Sequence, residues 1–533
     1  MRKVYATVLA GALALAACTK QDDTERERVA SSDSTTTLTC LAGSEVSDVA
    51  PMLEALRKEA GVTIRLVSAG TLASVEILEA SPTQYDCGWF SHNKYLMLNP
   101  QVKGLIKASE RIMVSPVAIG VKAAKAKQLG WTTDNTTWAD IAKAARDGRF
   151  RFAMTSPASS NTGMSALIGV TAALAGADAA ITTDTIRKVE LSGFGKGQVL
   201  FSDSSGWLTT AFQKSLADPA GPEGMINYES ELLKLNTQQQ AGLTLIYPKE
   251  GIVTADYPLM LFNEGKRASF DKAVAFLRKD ETQAWLMANT YRRPVSATVQ
   301  PDAAMFGTHM LVEVPFPGNA VVLDELITSY LDKQRRPGHV YFVLDTSGSM
   351  GGNGGIGQLR TALQNLAGSD ASLTGRYSRF RLREKVTVIE FAGKVKQETT
   401  YDMGATMQSM SAGLNALGSA AEVMNADGGT AIFSAVARAV ALAEENSRAE
   451  PGYIQSIVVM TDGLSNEGMS AREFERFYRS RSDDAKRVRI FGVLFGGGAS
   501  REQIQSLADV SGGAVFDGSA SLSAVFKKIR GYQ

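Results

Sequence analysis

The chain has 533 residues, 44% hydrophobic and 21% charged, with 56 Lys and Arg against 55 Asp and Glu. That length exceeds what one hydrophobic core normally serves and predicts about two to four folding units. The balanced charge speaks against a surface that tracks phosphate backbones, so no nucleic-acid partner is expected, and three His and three Cys leave little material for zinc or thiol chemistry.

At the N-terminus, Arg2 and Lys3 precede an apolar run over residues 4–14 that is short for a ~30 Å hydrocarbon core. The run closes on Leu15-Ala16-Ala17-Cys18. This resembles the lipobox of bacterial lipoproteins. The resemblance implies a signal peptide over 1–17, lipidation at Cys18, and contact with a membrane through that lipid anchor only. An ordinary cleaved secretion signal with a chance cysteine is the alternative reading. Residues 18–35 carry three positive and five negative charges and no large hydrophobe except Val29, which predicts a disordered, solvated tether. No other stretch holds 18 consecutive apolar residues, so no transmembrane helix is expected. With Cys18 lipidated, Cys40 and Cys87 remain as a pair that an oxidising compartment could join, or as two buried thiols.

Residues 36–305 alternate short apolar strands with amphipathic helices. Strand 37–41 turns at Gly43-Ser44 into a helix over 49–60. Strand 63–68 passes Gly70-Thr71 into a helix over 72–79, and strand 85–90 ends at Ser91. This βαβαβ order predicts a parallel sheet with ligand loops at its strand C-termini. A second α/β set follows. It includes a helix through Trp138 and Ile141 and a strand over 150–155. That strand runs into Ser156-Pro157-Ala158-Ser159-Ser160-Asn161-Thr162-Gly163 before a helix over 164–174. Residues 247–261 return, and one closing helix over 271–287 is expected to turn Phe276, Leu277 and Trp285 inward.

The order of lobe, crossing strand, second lobe and return resembles the two-lobed (type II) extracellular solute-binding proteins of bacteria. That resemblance implies an interlobe cleft for a small solute, with Ser44, Thr71, Ser91, Ser159, Ser160 and Asn161 as ligand contacts. The alternative reading of each Ser or Thr is a turn former or helix cap rather than a ligand contact. Pro- and Gly-punctuated residues 306–336 read as a linker around a helix-like stretch over 321–330.

Residues 337–533 alternate strand and helix again, which predicts a doubly wound, Rossmann-like sheet. Strand 339–344 ends in Asp345-Thr346-Ser347-Gly348-Ser349. Strand 385–391 leads through a polar stretch to Gly428-Gly429-Thr430, and strand 456–460 ends in Thr461-Asp462-Gly463. Asp345, Ser347, Ser349, Thr430 and Asp462 form an all-oxygen set suited to Mg²⁺, Mn²⁺ or Ca²⁺ and poor for zinc. The D-x-S-x-S loop with a later Thr and a later Asp resembles the metal-ion-dependent adhesion site of von Willebrand factor A (VWA) domains. The resemblance implies an ion held by these five residues and a vacant position for an acidic residue of a protein partner. Helix caps and turn formers are the plainer reading of the same residues.

No nucleophile elbow, phosphate loop or Cys–His pair stands at a strand–helix junction, so no catalytic residue is assigned and a binding protein rather than an enzyme is expected. The expected function is lipid-anchored, extracytoplasmic capture of a protein through a metal-bridged carboxylate, beside a solute-binding-like domain. The alternative is a solute receptor for transport or sensing whose VWA domain docks a membrane partner.

Overall fold

The computed structural model describes residues 36–176, 180–352 and 354–533. The signal peptide, Cys18 and the tether expected from sequence lie outside the described residues.

The N-terminal domain holds two sheets, one per lobe. In the first, strands Thr63–Ser68, Thr37–Ala42 and Cys87–Trp89 run parallel, as the βαβαβ pattern predicts. Pro258–Leu261 then adds antiparallel to both Cys87–Trp89 and Ala108–Arg111. The sheet is therefore mixed rather than parallel, because its fourth strand re-enters from the other lobe in the opposite direction. The second sheet is built on the long crossing strand Met113–Lys122, against which Gly224–Tyr228 and Leu243–Ile246 pair antiparallel.

One sequence expectation changes here. The single closing helix is two, Arg267–Leu277 and Asp280–Thr290, separated where Lys279 is extended. Phe276 and Leu277 are buried as expected, Trp285 is half-buried against the same core, and Leu286 beside it is fully buried. The stretch 306–336 carries the helix expected within it and packs against the lobes. Ile252 N–H donates to the Val312 carbonyl and Val314 N–H to the Ile252 carbonyl. The helix Ala320–Ser329 buries Leu323, Leu326 and Ile327 in the core of the lobes.

The C-terminal domain is one six-stranded sheet in the order Val395–Asp402, Lys385–Phe391, Gly338–Asp345, Ile454–Thr461, Arg489–Leu494, Val515–Asp517. All pairs are parallel except the first. Side chains alternate across the central strand: Val340, Phe342 and Leu344 enter one core, Tyr341 and Val343 the other. Sequence reading missed the polar edge strand VKQETTYD, whose outward residues carry no hydrophobic signal. Of the methionines near it, Met403, Met410 and Met424 are buried while Met407 is exposed.

The domains dock at the N-terminal end of this sheet. Arg381 forks onto Asp332 with two 2.7 Å bonds. Glu384, fully buried, lies between Arg335 and Arg530, the latter at 2.6 Å. Thr374 N–H and Oγ1 donate to Glu76 of the first lobe at 2.6 and 2.8 Å, and Tyr532 packs edge-on to Trp207 of the second at 6.0 Å. Both lobes are thus tied to the C-terminal domain.

Cys40 and Cys87 form a disulfide between neighbouring parallel strands, with their Cα atoms 4.4 Å apart. It closes a sequence separation of 47 residues. A Cys40→Ala/Cys87→Ala variant is expected to lose about 2–4 kcal/mol of stability, read as a lower melting temperature of the N-terminal domain.

Candidate functional site

Three loops meet at the C-terminal end of the second domain's sheet. Asp345 ends the central strand, fully buried. One of its carboxylate oxygens accepts from Ser347 N–H at 2.8 Å and the other from Thr461 Oγ1 at 2.5 Å. Ser347 Oγ lies 3.1 Å from Ser349 Oγ, which donates to Asp462 Oδ1 at 2.6 Å. A methyl group built on Gly463 would sit 3.7 Å from Ser349 Oγ and 3.8 Å from Thr430 Oγ1, so Thr430 faces the same point.

Backbone bonds lock the loops together. Gly348 N–H donates to the Gly428 carbonyl at 3.0 Å, and Asn466 N–H to the Thr430 carbonyl at 2.9 Å. Asn466 Oδ1 returns an acceptor to Thr430 N–H at 2.8 Å. Gly428 sits at φ +77°, a left-handed conformation that a side chain would strain. Burial, with a smaller push from the Asp462 charge, holds the Asp345 carboxyl above its ordinary range in spite of the bonds from Ser347 and Thr461.

The donor set is two carboxylates and three hydroxyls, all oxygen, which fits a hard divalent ion. Among the described residues no three His, Cys, Asp or Glu side chains gather as metal ligands, and Asp345 and Asp462 are the two carboxylates of this set. Beside the loops Leu464 is 54% exposed, an apolar side chain held in water.

A second site lies at the other end of the sheet, where a chamber of about 560 Å³ opens between the two lobes. Ser44, Thr71, Ser91, Ser159, Ser160 and Asn161 all line it. Asn161 Nδ2 donates across the lobes to Ser91 Oγ at 2.8 Å. Ser160 Oγ caps the helix Asn161–Ala175, accepting from Thr162 N–H at 3.3 Å, and Ser159 Oγ donates to the Asp203 carbonyl at 3.0 Å.

Residues 42–292 match the family model of bacterial extracellular solute-binding proteins, and residues 339–529 match that of the von Willebrand factor type A domain. The chain joins a solute-binding-protein-like domain to a VWA domain. Among solved structures it is similar to the periplasmic binding protein AfuA from Actinobacillus pleuropneumoniae, with exogenous fructose-6-phosphate bound, at 13% identity and TM-score 0.42, covering 56% of this chain and 98% of that one. The ferric binding protein from Campylobacter jejuni is similar at 13% identity and TM-score 0.42, over 55% of this chain and 96% of that one. A von Willebrand factor type A structure from Catenulispora acidiphila is similar at 18% identity and TM-score 0.28, over 38% of this chain and 43% of that one. No curated protein matches the chain.

The five VWA residues named from sequence thus come together at one end of the VWA sheet, and the six cleft residues come together between the lobes. Sequence reasoning missed the rest of the chamber wall. Glu45, Tyr228 and Asp203 line it from the lobes, and Lys527, Lys528 and Arg530 line it from the VWA domain. No local pattern marks the VWA contribution, since it depends on how two domains dock. By its eight residues, the strand Gly338–Asp345 separates the oxygen-rich loops from that docking end by roughly 25 Å.

Proposed function

We propose that the VWA domain holds a divalent cation at Asp345, Ser347, Ser349, Thr430 and Asp462 and through it captures an acidic residue of a protein partner. Mg²⁺ is the first candidate, with Mn²⁺ or Ca²⁺ as alternatives of the same donor preference. The single observation that carries this reading is the convergence of five oxygen-bearing side chains from three hydrogen-bonded loops on a face that the solute-binding domain leaves clear. When bound, the ion supplies an electrophilic position that two carboxylates leave only partly neutralised. The chain's own residues do the rest: Asp345 and Asp462 hold charge at fixed points, Ser347 and Ser349 supply short neutral donors, and Leu464 offers apolar contact beside them.

The chain is read as a binding protein rather than an enzyme, placed outside the cytoplasm in keeping with its solute-binding domain and tethered to a membrane through lipid on Cys18. Among the described residues no helix is long and apolar enough to cross a membrane. The chamber favours a second reading, a solute receptor whose VWA domain docks a membrane partner.

Partner capture from an extract of surface proteins, measured in Mg²⁺ and again in excess EDTA, tests the leading reading. Capture is expected only with the cation, and capture of the same proteins at equal yield in EDTA would sink it. Mass spectrometry of the mature chain tests the anchor, which is lost if Cys18 carries no acyl group.

A further inference from the structure

The polar edge strand Val395–Asp402 contains one residue that strand pairing leaves over. Along most of its length it answers Lys385–Phe391 residue for residue, from Asp402 opposite Lys385 to Gln397 opposite Glu390. Phe391 then faces Val395, so Lys396 is the extra residue of a β-bulge. A bulge bends its strand and re-aims a side chain, and bulges are over-represented beside functional sites.

Lys396 is aimed at the oxygen-rich loops. Its ammonium donates to the Thr346 carbonyl at 3.1 Å, to Thr346 Oγ1 at 3.2 Å and to the Asn425 carbonyl at 3.2 Å, and it pairs with Asp427. An ammonium has three N–H bonds, so these partners take all that it offers. Thr346 stands between Asp345 and Ser347, while Asn425 and Asp427 lead into Gly428-Gly429-Thr430. One side chain from a third element therefore ties the first loop to the second. Two backbone bonds join the same loops, Asp427 N–H to the Thr346 carbonyl at 2.9 Å and Gly348 N–H to the Gly428 carbonyl at 3.0 Å. The Lys396 side chain is 26% exposed and that of Asp427 72%, so the ion pair itself adds little to stability. Its effect lies in where it holds the loops.

We infer that Lys396 is a positioning residue of the VWA site, fixing the Asp345–Ser349 loop against the Thr430 loop at a spacing that suits a small divalent ion. This rests on the cation site proposed above. Mg²⁺ demands near-ideal octahedral ligands at about 2.0–2.1 Å, whereas Ca²⁺ accepts longer and more variable ones, so a rigid frame serves Mg²⁺ and a loosened frame penalises it more. The charge on Lys396 acts in the opposite sense. A positive group near the site repels any divalent ion, and by charge alone its removal would raise affinity for Mg²⁺ and Ca²⁺ alike. Position and charge thus predict opposite signs.

The test is calorimetric titration of Mg²⁺ and, separately, of Ca²⁺ into the metal-stripped chain, for the wild type, Lys396→Met and Lys396→Gln. Hydrogen exchange over residues 345–350 and 425–430 is followed in EDTA. Lys396→Met is expected to bind Mg²⁺ about tenfold more weakly and Ca²⁺ within about twofold of the wild type. Lys396→Gln, which keeps a donor for one carbonyl, should fall between. Exchange in both loops should quicken about tenfold in Lys396→Met, while the melting temperature of the metal-free chain falls by no more than about 4 °C. Affinities for the two ions that rise together would overturn the inference and leave Lys396 a charge effect only. Affinities that fall by equal factors would overturn it as well, since they mark a general loss of the loops. Unchanged exchange in EDTA would do the same without any ion present. A wild-type chain that binds neither ion contradicts the cation site itself and takes the inference with it. Faster exchange in Lys396→Met would then show a structural tie alone, so the two failures are told apart.

Discussion

Replacing Glu384 by alanine is expected to cost about 3–5 kcal/mol of stability, the range for removing one partner from a buried charge network. Glu384 and Arg335 are almost without exposure, and Arg530 is nearly so. Burial alone would raise the Glu384 carboxyl. The Arg530 and Arg335 guanidiniums outweigh that and hold it below the ordinary carboxylate range. Its loss strands two guanidiniums in the interior, at the point where residues 330–335, the strand Lys385–Phe391 and the final helix meet. Chemical denaturation should show a lower midpoint in Glu384→Ala, with Glu384→Gln intermediate. The pH dependence has a defined sign. A carboxyl with a depressed folded pKa contributes stability that is present above its unfolded value near ~4.3 and is lost as pH falls through the folded value. The wild type should therefore lose stability on acidification below about pH 4, and Glu384→Ala should lose less over the same window. An unchanged midpoint would mean that this network does not hold the junction.

Asp345→Ala should abolish cation-dependent capture, an effect of about a hundredfold or more, because the residue is the strand-end carboxylate around which Ser347 and Thr461 are arranged. The effect on folding is smaller, about 1–3 kcal/mol, the cost of leaving the Ser347 amide and the Thr461 hydroxyl without their acceptor. The two readouts separate. Capture measured on protein that remains folded by circular dichroism distinguishes loss of the ion from loss of the domain. Ser349→Ala, which removes one hydroxyl from an exposed loop, should weaken capture by about tenfold and leave the melt nearly unchanged.

How far the sequence foretold this arrangement depends on whether the information is local. The clustering of the five oxygen-bearing residues was legible in part because Asp345 and Asp462 end or directly follow buried hydrophobic strands, whereas Thr430 follows the helix Met407–Val423 and only its two preceding glycines mark a turn. The cleft hydroxyls were legible for the same reason: Ser44, Thr71 and Ser91 follow strands of one lobe, and Ser159 to Asn161 follow a strand of the other. Strand direction was not. Pro258–Leu261 runs against its neighbours because the chain returns from the second lobe, and nothing in its four residues records that. The edge strand Val395–Asp402 was hidden by its polarity, and the break at Lys279 lacks the glycine or proline that usually announces one. The third wall of the chamber was the least legible. Lys528 lines the same chamber as Ser44 and Asn161 although more than half the chain separates them, and that placement depends on how the VWA domain docks, through contacts that include those of Glu76, Asp332 and Glu384.

The docking also keeps the two candidate sites apart. The solute-binding lobes occupy the N-terminal ends of the VWA strands, and the oxygen-rich loops occupy the opposite ends. Calorimetric titration of Mg²⁺ into the metal-stripped chain tests the central claim most directly. One binding site is expected, lost in Asp345→Ala and in Asp462→Ala and unchanged in Lys528→Met; a titration that is the same in the wild type and in both aspartate variants would contradict it.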